Sequence, residues 1–163
     1  MLVSFSKFLA SFLGLGYLPW MPGTWGTIGA VFCSLFFLNI SPYILLIITI
    51  ITTLIGFYVS EISLKATAYN SMDPSWIVID EVAGYFWAIS LISFVRPLDY
   101  LQLALAFIFF RIFDIMKPWP ISWIDQSMAA SRKTAALGIM LDDVLAGIFA
   151  ALFTLFACRV IFN

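Results

Sequence analysis

An apolar run from Tyr43 to Ser60, free of any charge, constrains this chain more than any other feature. As a helix rising about 1.5 Å per residue it is long enough to cross a bilayer, which takes roughly 17–25 residues. Four further runs have similar character: Pro22 to about Ile40, Ile77 to Val95, Tyr100 to Met116, and Leu137 to Ile161. Only 10% of the 163 residues are charged, against about 25% in a soluble domain. The pattern predicts an all-α, polytopic membrane protein with about five transmembrane helices, in a single domain spanning residues 1–163. The shorter run from Phe8 to Leu18, interrupted by Gly14 and Gly16, is too short to span. No small-residue cleavage site follows it, so it makes a poor signal peptide. It reads as an N-terminal interfacial or re-entrant helix.

Several of these runs carry ionisable residues, which are costly in an apolar layer unless paired or wet. The fourth run ends Phe109-Phe-Arg-Ile-Phe-Asp-Ile-Met-Lys-Pro-Trp-Pro120. At about 100° per residue, Arg111, Asp114 and Lys117 fall within an arc of roughly 120° and share one helix face. Pro118 and Pro120 stop the helix, because each lacks an N–H and restricts the residue before it. A plain structural ion pair between Arg111 and Asp114 is the competing reading of that stripe. Asp80 and Glu81 lie one turn inside the third run, and Asp142 and Asp143 one turn inside the fifth. Pro22-Gly-Thr-Trp-Gly-Thr27 reads as a turn offering backbone N–H groups and the hydroxyls of Thr24 and Thr27. Such a turn can cradle a phosphate, or simply cap the helix that follows, which is its commoner use.

Orientation follows from the basic residues near the span ends. Lys7, Lys65, Lys117, Arg132 and Lys133 fall on one side, and Arg96 and Arg159 on the other. The first side is therefore expected in the cytoplasm, with the N-terminus inside and the C-terminus outside. On that topology the Pro22–Thr27 turn, both acidic pairs and the Arg111–Lys117 stripe all reach one depth on the cytoplasmic side. Scattered structural pairs would not gather this way.

Five carboxylates so placed, those of Asp80, Glu81, Asp114, Asp142 and Asp143, would repel strongly in a low dielectric. Two basic side chains cannot neutralise them, and a divalent cation is the economical solution. The chain has no histidine, which removes phosphohistidine chemistry, a histidine base and histidine zinc sites. Cys33 and Cys158 sit in apolar segments and read as core residues. The ligands must then be oxygens, which points to Mg²⁺ or Mn²⁺ and suits Mg²⁺. Asp80, Glu81, Asp142 and Asp143 are the candidate ligands, with Asp114 completing or supporting them. Ala83 with Gly84, and Ala146 with Gly147, would let the helices approach closely enough for the carboxylates to meet. Arg111 and Lys117 are then free to hold an anion, and the arginine fork fits phosphate oxygens. Together these features suggest a phosphate monoester on a lipid. Its hydrolysis would use water made acidic by a bound cation and a carboxylate base drawn from the same acidic residues. A net charge of −1 gives no electrostatic case for nucleic acid.

At these residues the chain resembles the phosphatidylglycerophosphatase A family. The likeness rests on Pro22–Thr27, Ile79-Asp-Glu-Val-Ala-Gly84, Phe110–Ile121 and Gly138-Ile-Met-Leu-Asp-Asp-Val-Leu-Ala-Gly147, in order and spacing. It implies a Mg²⁺-dependent hydrolase of the bacterial inner membrane. Such an enzyme removes the terminal phosphate of phosphatidylglycerophosphate, leaving phosphatidylglycerol and inorganic phosphate. One departure is Thr134-Ala-Ala-Leu137, where members often carry glycines.

The rival reading is an ion- or proton-coupled transporter, since buried carboxylates also mark ion paths. It would place charges near the bilayer midplane, whereas these lie at one edge. The aspartate-rich motif of CDP-alcohol transferases, another Mg²⁺-using class, is absent. The topology is directly testable. In a background lacking Cys33 and Cys158, single cysteines at Ser122 and Ser131 should react with an impermeant thiol reagent only from the cytoplasmic side. A cysteine at Asp99 should react only from the opposite side, and the reverse pattern would invert the orientation.

Overall fold

The computed structural model describes residues 2–68, 70–129 and 131–161. Among them are seven α-helices and no strand: α1 Leu2–Ala10, α2 Pro22–Ser34, α3 Pro42–Ala66, α4 Ile79–Val95, α5 Tyr100–Met116, α6 Ile121–Ala129 and α7 Ala135–Ile161. Short 3₁₀ turns at Leu15–Tyr17 and Leu35–Phe37 complete the set. Helices α3 and α7, of 25 and 27 residues, are long and apolar enough to cross a membrane. Their outward faces are apolar, with Ile47, Leu54, Leu152 and Phe156 each more than half exposed.

Helix α4 is the axis of the bundle and is buried along most of its length. It packs most extensively against α7, then α3, α2 and α5. The α4–α7 contact is backbone on backbone. A Cβ built on Gly147 would lie 2.1 Å from the Gly84 carbonyl oxygen, and one on Gly84 would lie 2.5 Å from the Asp143 carbonyl oxygen. Lipid tails are as apolar as leucine, so helices in a bilayer associate through such close packing and through polar bridges. The bridges are present. The Thr49 hydroxyl donates to the Leu45 and Phe86 carbonyls at 2.9 and 3.3 Å, linking α3 to α4. The Trp87 indole N–H donates to Thr53 at 3.1 Å, and the Tyr85 hydroxyl donates to the Leu103 carbonyl of α5 at 3.2 Å.

Helix α5 has the bounds its sequence predicts. It opens on a capping box, in which Asp99 accepts from the Gln102 N–H at 2.8 Å and the Gln102 side chain accepts from the Asp99 N–H at 3.2 Å. Other expectations need correction. The N-terminal helix is Leu2–Ala10 and not Phe8–Leu18, because Phe12, Leu13 and Gly14 all have positive φ and break it. Its last carbonyl, Ala10, accepts from the Val78 N–H at 2.9 Å, which fastens α1 to the start of α4. Pro22–Thr27 is not a turn but the first turns of α2 itself, with Pro22 in the first turn where a missing N–H is harmless. Helix α3 runs past Ser60 to Ala66, since Glu61 and Lys65 pair at 2.9 Å across one turn. Helix α6 lies between Pro118 and Leu137, outside the five apolar runs. Thr134, one of the residues standing where glycines are expected, donates its hydroxyl to the Met128 carbonyl at 2.8 Å and ties α6 to α7.

The glycine contact yields a stability prediction. Gly147→Ala should destabilise the fold by about 1–3 kcal/mol, because backbone cannot retreat as a side chain can. Leu152→Ala on the exposed face should change it by less than about 0.5 kcal/mol. Thermal unfolding of both variants in the same detergent would show equal losses if the α4–α7 contact were loose.

Candidate active site

Three helix ends build the site. Asp80 and Glu81 occupy the first turn of α4, where unpaired N–H groups and the positive end of the helix favour carboxylates. Asp142 and Asp143 lie two turns inside α7, because that helix begins at Ala135. Arg111 and Asp114 lie in the last turns of α5, and Lys117 caps it in the left-handed conformation, φ 41° and ψ 58°. Glycine usually holds such a position, and a side chain there costs roughly 1 kcal/mol.

Asp80, Glu81 and Asp143 each bring a carboxylate oxygen within 4.8 Å of the others. Asp80 and Asp143 are buried, at 6% and 4% exposure. Asp80 Oδ1 and Glu81 Oε2 are buried with no hydrogen-bond partner. Beside this trio stand two ion pairs. Arg111 Nη1 pairs with Asp114, while Lys117 Nζ lies 2.6 Å from Asp142 Oδ2 and 2.9 Å from Asp125 Oδ1. Burial alone would lower the Lys117 pKa, but the Asp142 and Asp125 carboxylates outweigh it and hold the ammonium well above its ordinary value, so it stays charged. Arg111 Nε is buried without a partner. Helix α2 closes the site from the side. A Cβ on Gly23 would lie 2.1 Å from Glu81 Oε1 and 3.2 Å from Arg111 Nη1, so only glycine fits there without displacing them. Apart from Asp125, these groups line one cavity of about 310 Å³.

The sequence-derived residues therefore fall into three groups. Asp80, Glu81 and Asp143 form the oxygen cluster. Asp142, grouped with them in the sequence, turns its carboxylate to Lys117. Asp114 and Arg111 pair with each other, as the ion-pair reading of the stripe has it, and they also line the cavity. Thr24 and Thr27 do not line it. Thr27 is fully buried and donates to the Gly23 carbonyl at 2.8 Å inside α2, so its hydroxyl is occupied, and neither threonine caps the helix. Two acidic residues were missed. Asp73 lines the cavity from the loop before α4, and Asp125 of α6 holds Lys117. The only signal for Asp125 was a carboxylate two turns after Pro118, and that signal needed α6 to be recognised.

Among the described residues the oxygen trio is a fit for a hard divalent cation. Bonds of about 2.1 Å put Mg²⁺ ligand oxygens about 3–4.2 Å apart, so a small side-chain adjustment closes the set. The orphaned oxygens of Asp80 and Glu81 are what such an ion would satisfy.

An all-helical bundle with two helices apt for a membrane, enclosing a buried acidic pocket flanked by cations, defines a class of membrane-associated proteins with a polar site at one helix-end layer. Within that class the chain belongs to the phosphatidylglycerophosphatase A family, whose model matches residues 8–158. It is 35% identical over 146 residues to the phosphatidylglycerophosphatase A of Haemophilus influenzae, covering 88% of this chain and 83% of that protein. It is 34% identical over 145 residues to the Escherichia coli phosphatidylglycerophosphatase A, covering 88% and 77%. No solved structure matches it.

Metal binding can be read without turnover. Mg²⁺ at 100 times its dissociation constant should stabilise the wild-type protein by about 2.7 kcal/mol. Asp143→Asn should lose that gain, as should addition of EDTA. An unchanged melting temperature in saturating Mg²⁺ would argue against the trio as a metal site.

Proposed function

We propose that this protein hydrolyses the terminal phosphate monoester of phosphatidylglycerophosphate, releasing inorganic phosphate and leaving phosphatidylglycerol, and that it depends on Mg²⁺. One observation carries the reading. The cavity holds buried, unpartnered groups of opposite kinds, the carboxylate oxygens of Asp80 and Glu81 and the guanidinium Nε of Arg111. The first call for a cation and the second for an anion, and a phosphate monoester with its divalent ion supplies both. Family membership supports the same reaction and directs it to a lipid.

In this reading Asp80, Glu81 and Asp143 hold Mg²⁺, with Asp142 and Asp114 supporting through their pairs. When bound, the ion supplies Lewis acidity and makes nearby water more acidic. Arg111 binds and orients the phosphate, the fork of its guanidinium matching two oxygens. Lys117 adds a point charge on the same side and neutralises the phosphoryl group as charge develops. Asp73, the lining carboxylate that this reading leaves without a cation, accepts the proton of the attacking water. Gly23 lets the phosphate approach beside α2 without a side chain in its path.

We further infer a single domain with five membrane crossings, α2, α3, α4, α5 and α7, in the bacterial inner membrane, with the acidic pocket on the cytoplasmic side. Contacts of the α2 and α4 starts with each other, and of the α5 end with α7, support this, since they put those ends in one layer. Helices α4 and α5, at 17 residues each, reach about 25 Å. Exposed Trp20, Trp119 and Trp123 suit the head-group level.

The test is phosphate release from phosphatidylglycerophosphate by the purified protein, with and without Mg²⁺. Arg111→Ala and Lys117→Ala should each lower kcat by about 10²–10³-fold, and EDTA should abolish turnover. Wild-type kcat and KM in either variant would reduce that residue to a structural ion-pair partner. Ion transport without phosphate release would favour the transporter reading.

A further inference from the structure

We propose that the groove between α2 and α5 holds an acyl chain of the lipid whose phosphate enters the acidic pocket, a proposal that rests on the lipid-phosphatase reading above. The groove has a volume of about 400 Å³ and is lined by Ile28, Val31 and Phe32 of α2 and by Ala104, Phe107 and Ile108 of α5. None of these side chains is polar. Phe32 and Ile108 are 65% and 49% exposed, so the groove opens on the outer surface of the bundle.

Continuity with the pocket identifies the occupant. Ala104, Ile108, Arg111 and Ile115 follow one another on α5 at spacings of four, three and four, within an arc of roughly 60°. The first two line the groove and the last two line the acidic cavity. Ile108 and Arg111 are separated by a rise of only about 4.5 Å. On α2 the groove is lined by Ile28, Val31 and Phe32, while Pro22 and Gly23, within two turns of Ile28, line the cavity. The walls of the groove thus lie next to the walls of the pocket along both helices. A molecule anionic at one end and apolar beyond matches this order.

The apolar cavity on α7 at Leu152, Phe153 and Phe156 is similar in volume, about 360 Å³. It has no such continuity, since Leu152 lies nine residues beyond Asp143, a rise of about 13.5 Å. Because lipid tails are as apolar as the groove, occupancy adds little transfer free energy. The groove acts by aligning one chain so that its head group points at Arg111.

The test uses the full-length protein in phosphatidylcholine nanodiscs with phosphatidylglycerophosphate carrying a mid-chain diazirine. Photolabel should concentrate on residues 28–32 and 104–108. Ile108→Trp should fill the groove, remove that labelling and lower kcat/KM roughly tenfold, while Leu152→Trp should change neither. Label spread evenly over the outer faces of α3 and α7, or an Ile108→Trp variant with unchanged kcat/KM and labelling, overturns the groove assignment. Phosphate release from the same samples separates the two readings. Turnover with label elsewhere sinks the groove alone, and label in the groove without turnover supports it while sinking the phosphatase reading.

Discussion

Carboxylates repel one another, and in this bundle the backbone contact between α4 and α7 holds them together regardless. Gly84 and Gly147 let the two helices touch main chain to main chain, and Asp80, Glu81 and Asp143 are carried into one cluster by that contact. A larger residue at either glycine would push the helices apart and part the carboxylates with them. The repulsion so stored is costly in a low dielectric. It is tolerable if a cation occupies the cluster during function, and the orphaned oxygens of Asp80 and Glu81 are where such an ion would bind.

The cationic side of the site is built with a different economy. Lys117 sits in a backbone conformation that a lysine adopts at some cost, and from there its ammonium reaches both Asp142 and Asp125. It joins the end of α5 to α7 and to α6, so a single charge positions three elements around the cavity. Arg111 keeps one face for Asp114 and leaves Nε unused. Pairing that leaves one donor over is what an anion-binding arginine requires, whereas a purely structural pair would have no need of a buried, unsatisfied donor.

Much of this was legible in the sequence, because the physical signals were local. The apolar runs placed α3, α4, α5 and α7, and the Pro118–Pro120 stop ended α5 at Met116. Charges inside those runs were conspicuous because apolar neighbours left them no local explanation. The failures came where a signal was tertiary. Glu61 and Lys65 lie beyond the apolar run that ends at Ser60, but as a pair one turn apart they continue α3. Helix α6 is short and sits between prolines and a polar stretch, so neither length nor periodicity announced it. The division of labour within Asp142-Asp143 was invisible, since only the packing of α5 against α7 decides that Asp142 meets Lys117 while Asp143 joins Asp80 and Glu81. Thr24 and Thr27 looked like ligands because Pro22-Gly-Thr-Trp-Gly-Thr27 resembles a turn, yet Pro22 starts a helix that encloses them.

The central claim is that a divalent cation sits between the start of α4 and the buried pair of α7. Iron-directed backbone cleavage tests it most directly. With Fe²⁺ in place of Mg²⁺ and ascorbate with peroxide present, radicals form at the bound ion and cut the nearest main chain. Cuts are expected beside Asp80 and Glu81 and beside Asp142 and Asp143, suppressed by excess Mg²⁺ and absent from the Arg96 end of the bundle. Cuts at other positions, or cuts indifferent to Mg²⁺, would contradict the account.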